Sequence, residues 1–281
     1  MKLIRVFPRQ TNSSPDDPLA YFGPPPNGGT GLFGNIECDE VHISVTFTYD
    51  LQQAERLEKA WKQIAPVTIG GPATGQRGEE FIPGKYLKLG HTITSRGCNN
   101  SCWFCSVWKR DGAVRELPIK DGWIVQDDNL LSCSDSHIKA VFNMLRRQPQ
   151  PAEFRGGFEA AKLQRWHIEE LETVRVNQVF FAYDTADDYE PLLEASKLLA
   201  DSSLINGHKL RCFILMGYPG DTIEAADKRC VDAVNLGFMP LAMLYKNEAG
   251  EQDKSWRKFQ RTWANNFITG RKMKDMKTEA A

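Results

Sequence analysis

At 281 residues, with 41% hydrophobic and 25% charged positions, the chain is long enough for one large globular domain with an appendage, or for two modest ones. A formal net charge of -1 gives no whole-chain electrostatic case for a nucleic-acid or membrane surface. No apolar run approaches the ~18 residues of a membrane helix, and Met1-Lys2-Leu3-Ile4-Arg5 is too short and polar-flanked for a signal peptide, so a cytoplasmic location is expected.

In chain order, Leu3 to Phe7 reads as a short strand, and Phe22-Gly23-Pro24-Pro25-Pro26-Asn27-Gly28-Gly29 as a loop. Val41 to Phe47 alternates and is rich in β-branched residues, which predicts a strand. Asp50 is placed to cap a helix with Gln53 three residues on, and Ala54, Leu57, Trp61 and Ile64 follow at helical spacing. Val67-Thr68-Ile69, ending in Gly70-Gly71-Pro72, closes a β-α-β unit. Residues 1–88 are therefore expected to form a small α/β, Rossmann-like domain with a parallel sheet.

The next strand-like run, His91 to Thr94, leads into Ser95-Arg96-Gly97-Cys98-Asn99-Asn100-Ser101-Cys102-Trp103-Phe104-Cys105, three thiols within eight residues. One turn of chain can aim all three at a single metal centre. Three clustered cysteines fit half of a zinc site, a cluster that only carries electrons, or a cluster with an open iron. A zinc knuckle wants paired short spacings with histidines nearby, and an electron carrier wants a fourth thiolate, whereas the next cysteine is Cys133. Cys38, Cys133, Cys212 and Cys230 read as small buried hydrophobes, and an odd total of seven does not suggest a disulfide framework.

Beyond the cysteines, strands are predicted at Trp123 to Gln126, Ala152 to Arg155, Gln178 to Ala182, Leu210 to Met216 and Met239 to Tyr245. Helical patterns lie between most of them: Asp135 to Arg147, Ala160 to Glu172, Asp188 to Leu199, and Thr222 to Leu236 closed by Gly237. Cys105 to Trp123 is polar and irregular. With His91 to Thr94 this makes six strands in a right-handed parallel β/α array, too few for a closed eight-fold barrel.

The loops after these strands carry polar and glycine-rich clusters, where such folds place their chemistry. Asp127-Asp128-Asn129 suits a helix-capping turn or a substrate contact. Arg155-Gly156-Gly157-Phe158-Glu159 brings two glycines and an acid. Tyr183-Asp184 suits a helix cap or a hydroxyl-binding carboxylate, and Gly217-Tyr218-Pro219-Gly220-Asp221-Thr222 builds a tight turn before a helix.

The Cys-x3-Cys-x2-Cys spacing, with Phe104 just before the third cysteine, resembles the signature of the radical SAM superfamily. The resemblance extends through Gly-Gly-x-Glu, Asp184 and the Gly-x-Pro-Gly loop over residues 89–250. It implies an open six-stranded partial (β/α)6, TIM-like barrel. It also implies a [4Fe-4S] cluster on Cys98, Cys102 and Cys105, with the fourth iron chelated by S-adenosylmethionine. Phe104 would then cover the adenine, Gly156, Gly157 and Glu159 would lie at the methionine amino group, Asp184 at the ribose, and Gly217 in the cofactor-side turn. A flavodoxin- or ferredoxin-like electron donor is implied as a partner. The Gly-Gly-Pro ending near residue 70 resembles a cobalamin-binding domain, but its Asp-x-His-x-x-Gly motif is missing, so cobalamin is not expected. Asp135-Ser136-His137 reads instead as the first turn of a helix.

Residues 251–281 hold eight Lys/Arg against four Asp/Glu, with Trp256, Phe259, Trp263 and Phe267 at helical spacing. A helix that docks by this aromatic face, leaving Lys258 and Arg261 solvated, is favoured over a nucleic-acid surface, and the chain past Gly270 looks frayed. His42, His91, His137, His167 and His208 form no metal set. The substrate is not legible, and binding without catalysis or modification of nucleic acid stay open as alternatives.

Overall fold

The computed structural model describes residues 1–26, 36–205, 209–247 and 249–279; Asn27 to Gly29 and His208 lie outside them. The strands gather into two parallel sheets and one short hairpin. In the N-terminal part, β1 (Leu3–Phe7), β2 (Ala20–Phe22), β3 (Glu40–Ser44), α1 (Leu51–Trp61) and β4 (Val67–Gly70) give a four-stranded sheet of order β2-β1-β3-β4 with every pair parallel. Val41 and Ile43 of β3 and Ala54, Leu57 and Trp61 of α1 are buried against one another, so the helical spacing in the sequence becomes one packed face.

Two local expectations change here. Phe22 is not loop: it pairs in register with Phe7, in a strand of three residues that is too short to leave a periodic signal. Asp50 does sit at the start of α1, but it makes no capping bond. Its buried carboxylate instead accepts from Arg9 Nε at 2.6 Å and Arg9 Nη2 at 2.5 Å, a two-point fit that a single backbone N–H cannot match.

The second sheet begins with β5 (His91–Thr92). The chain then makes an antiparallel hairpin, β6 (Ser95–Arg96) with β7 (Arg115–Glu116), whose arms enclose the cysteines and the short helix α2 (Val107–Asp111). Next come β8 (Ile124–Val125), α3 (Asp135–Arg146), β9 (Ala152–Phe154), α4 (Arg165–Glu172), β10 (Val176–Ala182), α5 (Tyr189–Leu199), β11 (Leu210–Met216), α6 (Ile223–Asn235) and β12 (Met239–Leu244). Strand order is β12-β11-β10-β9-β8-β5, all parallel, so each new strand adds on the same side of the last. Right-handed crossovers in one direction stack their helices on one face of the sheet. The fold is α/β, with all six predicted strands present.

An aromatic run fills the space beneath the helices: Phe142 to Phe154 at 6.0 Å, Phe154 to Phe158 at 4.9 Å, Phe158 to Phe181 at 5.9 Å and Phe181 to Phe238 at 5.2 Å between ring centroids. Helix starts follow their cap residues. Ser134 Oγ accepts from His137 N at 3.3 Å, and Thr222 Oγ1 from Ala225 N at 3.1 Å. Among the remaining cysteines, Cys212 and Cys230 are buried as expected, while Cys38 and Cys133 are only half-buried.

The C-terminal segment is two helices where the sequence predicts one. α7 (Arg257–Ala264) and α8 (Asn266–Glu279) are separated by Asn265 in an extended conformation, and α8 runs on past Gly270. Trp256 and Trp263 are buried, and the Trp263 indole N–H donates to Asp227 Oδ1 at 2.8 Å. Gln260 Nε2 donates to the Ala242 carbonyl at 3.0 Å, which seats α7 on β12. Phe267 is 91% exposed, so the docked aromatic face ends at Trp263; Lys258 and Arg261 are exposed. Among the described residues no helix is long and apolar enough to cross a membrane.

This asymmetry gives a direct check on the docking. Trp263→Ala is expected to cost about 3–5 kcal/mol, read as a lower denaturant midpoint, whereas Phe267→Ala should stay within about 0.5 kcal/mol of the parent chain. Equal effects would contradict the docked arrangement.

Candidate metal centre at the carboxyl edge of the large sheet

β5 ends in a knot of hydrogen bonds. Asp127, just past β8, is 2% exposed and accepts from Thr94 N at 2.6 Å, Thr94 Oγ1 at 2.5 Å and Ser95 Oγ at 2.9 Å. Burial pushes its carboxyl up, and the Thr94 and Ser95 donors act against that. Its neighbour Asp128 accepts from Gly97 N at 2.9 Å and pairs with Arg96 at 3.6 Å. Gly97 has φ +89, and a Cβ there would run into the Gly112 and Ala113 carbonyls. Cys98 N donates to Gly112 O at 3.0 Å, and Val114 N donates to Asn99 Oδ1 at 3.1 Å. The thiol loop is thus clamped at its base and along the returning strand.

Within it, Cys98 and Cys105 are half-buried and Cys102 is exposed, and none is in a disulfide. Burial pushes the Cys102 and Cys105 thiols up, and the neighbouring cysteines push the same way. Bare thiolates are disfavoured there, so ligation has to bring positive charge. Among the described residues, no three His, Cys, Asp or Glu side chains converge as they would on one ion. The three thiols share one short loop, and their mutual proximity helps to raise the pKa of Cys102 and Cys105.

Asn129 ties this loop to the next strand ends. Its side chain, in a residue 4% exposed, donates from Nδ2 to Cys98 Sγ at 3.5 Å and to Glu159 Oε2 at 2.7 Å. Ser132 Oγ also donates to Glu159 Oε2, at 3.2 Å. The structure thus brings Glu159 beside the cysteines. The extra residue Phe158 makes this possible by turning into the core between Phe154 and Phe181. Gly156 is fixed by crowding, since a Cβ would overlap the Asp127 carbonyl, while Gly157 has φ +93.

On the other side, Trp103 reaches across. Its ring lies 5.3 Å from Phe104, 5.5 Å from Tyr218 after β11 and 5.7 Å from Tyr245 after β12, and it stays 51% exposed. Asp184 follows β10. It accepts from Leu215 N at 2.7 Å, and its carbonyl accepts from Tyr218 Oη at 3.4 Å. The helix-cap role suggested for it falls instead to Thr185, which forms a capping box with Asp188, whose Oδ2 takes the N–H of Thr185 and also that of Asp184. Gly217 packs against Leu244 and Trp256, and its N–H donates to Asp221 Oδ2 at 2.9 Å. Asp221 is in turn held by buried Arg229 at 2.9 Å.

Sequence reasoning weighed the Asp-Asp-Asn triplet as a cap or a substrate contact, and in fact all three side chains serve the cysteine loop. Trp103 reaches Tyr218 and Tyr245. Neither role had a local signal, because each partner is more than 25 residues away. His137 Nε2 lies 3.2 Å from Thr94 Oγ1, and His42 lies between Tyr86 and Glu40.

No protein-family model matches the chain. Among curated proteins it is similar to the "Ribosomal protein uS12 methylthiotransferase RimO" of Ectopseudomonas mendocina (strain ymp), 27% identical over 193 residues, 60% of this chain and 41% of that protein. It is likewise similar to the protein of the same name from Stutzerimonas stutzeri (strain A1501), 25% identical over 198 residues, 62% of this chain and 42% of that one. The chain thus spans about two fifths of the length of the curated relatives it matches.

Asp184 supplies a measurable signature. Burial and the nearby Asp188 hold its carboxyl up at about 6, against the Leu215 N–H that lowers it. A carboxyl raised on folding stabilises the protein fully below its unfolded value of 3.8 and loses that contribution as pH rises through about 6. Between these limits, the stability of wild type relative to Asp184→Asn should fall by up to about 3 kcal/mol in denaturant titrations. A difference that is flat with pH would remove Asp184 from its buried setting.

Proposed function

We propose that the chain is a radical SAM enzyme whose [4Fe-4S] cluster sits on Cys98, Cys102 and Cys105. The observation that carries this reading is the three-thiol loop itself, raised from the carboxyl end of the first strand and tied to the ends of β8, β9, β11 and β12. When bound, cluster and S-adenosylmethionine supply one chemistry: an electron from a reduced donor breaks the C5'–sulfonium bond, giving methionine and a 5'-deoxyadenosyl radical that takes a hydrogen atom from substrate.

The protein's own residues bind and shield. The three cysteines ligate as thiolates. Gly156 and Gly157 offer backbone to the methionine end, with Glu159 beside them as an acidic partner. Asp184, one oxygen occupied by Leu215 N–H, turns the other to the ribose hydroxyls. Phe104 lies against the adenine, and Gly217 shapes the turn next to it.

The sheet is read as an open partial (β/α)6 barrel. If flat, its first and last strands would lie about 24 Å apart, five spacings of about 4.8 Å. The 5.7 Å contact between Trp103 and Tyr245 supports a sheet that curls toward closure. Residues 89–250 form this core, residues 1–88 a substrate-side cap, and residues 251–281 a docked tail. The electron comes from a small flavodoxin- or ferredoxin-like partner. The relatives' named reaction supplies the first substrate to assay, ribosomal protein uS12.

The test is anaerobic: reconstitute with iron and sulfide, reduce, add S-adenosylmethionine, and quantify 5'-deoxyadenosine. Wild type should form it, and Cys102→Ala should fall to background while Cys133→Ala keeps the activity. Wild type that holds a cluster yet makes no 5'-deoxyadenosine would overturn the radical assignment.

A further inference from the structure

We propose that Asn129 is a positioning residue that tunes the cluster through an N–H···S hydrogen bond to Cys98, with Glu159 as the group that orients its amide. This rests on the cluster reading above and adds to it a residue that the cysteine spacing does not contain.

The geometry leaves one arrangement for this amide. Nδ2 faces two acceptors, the Cys98 sulfur at 3.5 Å and Glu159 Oε2 at 2.7 Å. A flipped amide would point its oxygen at a carboxylate and at a sulfur that is anionic when ligated, so only the NH2 group suits that side. The correct orientation has a cost. Asn129 Oδ1 is left buried without a hydrogen-bond partner among the described residues. The two acceptors that face Nδ2 account for this orientation. Cys98 also accepts from Asn100 N at 3.4 Å, so two N–H groups converge on one sulfur.

N–H donors withdraw electron density from cluster sulfurs, which favours the reduced, more negative state and raises the potential. The Glu159 carboxylate acts in the opposite sense through its charge, but it holds the donor in place. The pair therefore sets how readily the cluster accepts an electron.

The experiment reconstitutes wild type, Asn129→Leu, Asn129→Ala and Glu159→Gln, without S-adenosylmethionine. It measures iron content, circular dichroism and midpoint potential by redox titration followed by electron paramagnetic resonance. Both Asn129 variants are expected to shift the oxidised-to-reduced ratio at fixed potential at least tenfold toward oxidised, 59 mV for one electron. Glu159→Gln keeps a side-chain oxygen to accept from Asn129 Nδ2 and removes only the charge, so it is expected to shift the ratio toward reduced. General loosening of the loop would move all three the same way, and that result, or Asn129 variants titrating with wild type, would overturn the assignment. Should both Asn129 variants lose iron, Glu159→Gln decides: a shift toward oxidised or no shift overturns it. Wild type that binds no iron at all would overturn the cluster reading itself, a failure distinct from the others.

Discussion

A single buried carboxylate fixes where the first strand of the large sheet stops and the thiol loop starts. Asp127 has little water to solvate it, and an unpaired carboxylate in that setting is costly. Thr94 and Ser95 answer with three hydrogen bonds, one from the backbone and two from hydroxyls. Those donors belong to the last residues before Gly97, so satisfying the acid and aiming the loop are one event. Asp128 extends the same clamp by two residues and Asn129 carries it to Cys98. Gly156, pressed against the Asp127 carbonyl, locks the neighbouring strand end into the same unit.

Much of the architecture was legible because it rests on periodicity. The strands Leu210 to Met216 and Met239 to Leu244 and the helices from Asp135, Tyr189 and Ile223 announce themselves by apolar spacing and caps. The hairpin of Ser95–Arg96 with Arg115–Glu116 does not, since two residues have no period. Nor does the break at Asn265, where a helical aromatic pattern runs through Phe267 although that ring has nothing to pack on. At the candidate site, the cysteine cluster stands out in the sequence by its spacing. Its supports do not, because Asn129, Asp128, Trp103 and Tyr218 come together only through the parallel stacking of strands far apart in the chain.

The two sheets keep separate apolar cores, and the segment between them is held by polar contacts and a small apolar cluster of Phe81, Leu87, Ile93 and Leu117. The buried Arg5 guanidinium donates to the Gly84 and Lys85 carbonyls at 2.8 and 3.0 Å and pairs with Asp17. Ser13 Oγ lies 3.1 Å from His91 Nε2 at the start of β5, and Gly78 N donates to Asp111 Oδ1 at 2.8 Å beside the cysteine hairpin. The segment from Gly78 to Lys88 is therefore a strut between the N-terminal sheet and the base of the thiol loop. Polar contacts of this kind fix orientation more than they add stability.

The ring of Trp103 spans what the strand pairing leaves open. β5 and β12 are the two free edges of the six-stranded sheet, and no backbone ladder joins them. The cysteine loop that follows β5 and the segments that follow β11 and β12 meet through the Trp103 indole, half in solvent, resting on Tyr218 and Tyr245. Side-chain rotamers exchange far faster than strand pairing rearranges. The contact that bridges the two ends of the sheet thus rests on one side chain, which can turn without any change in strand pairing.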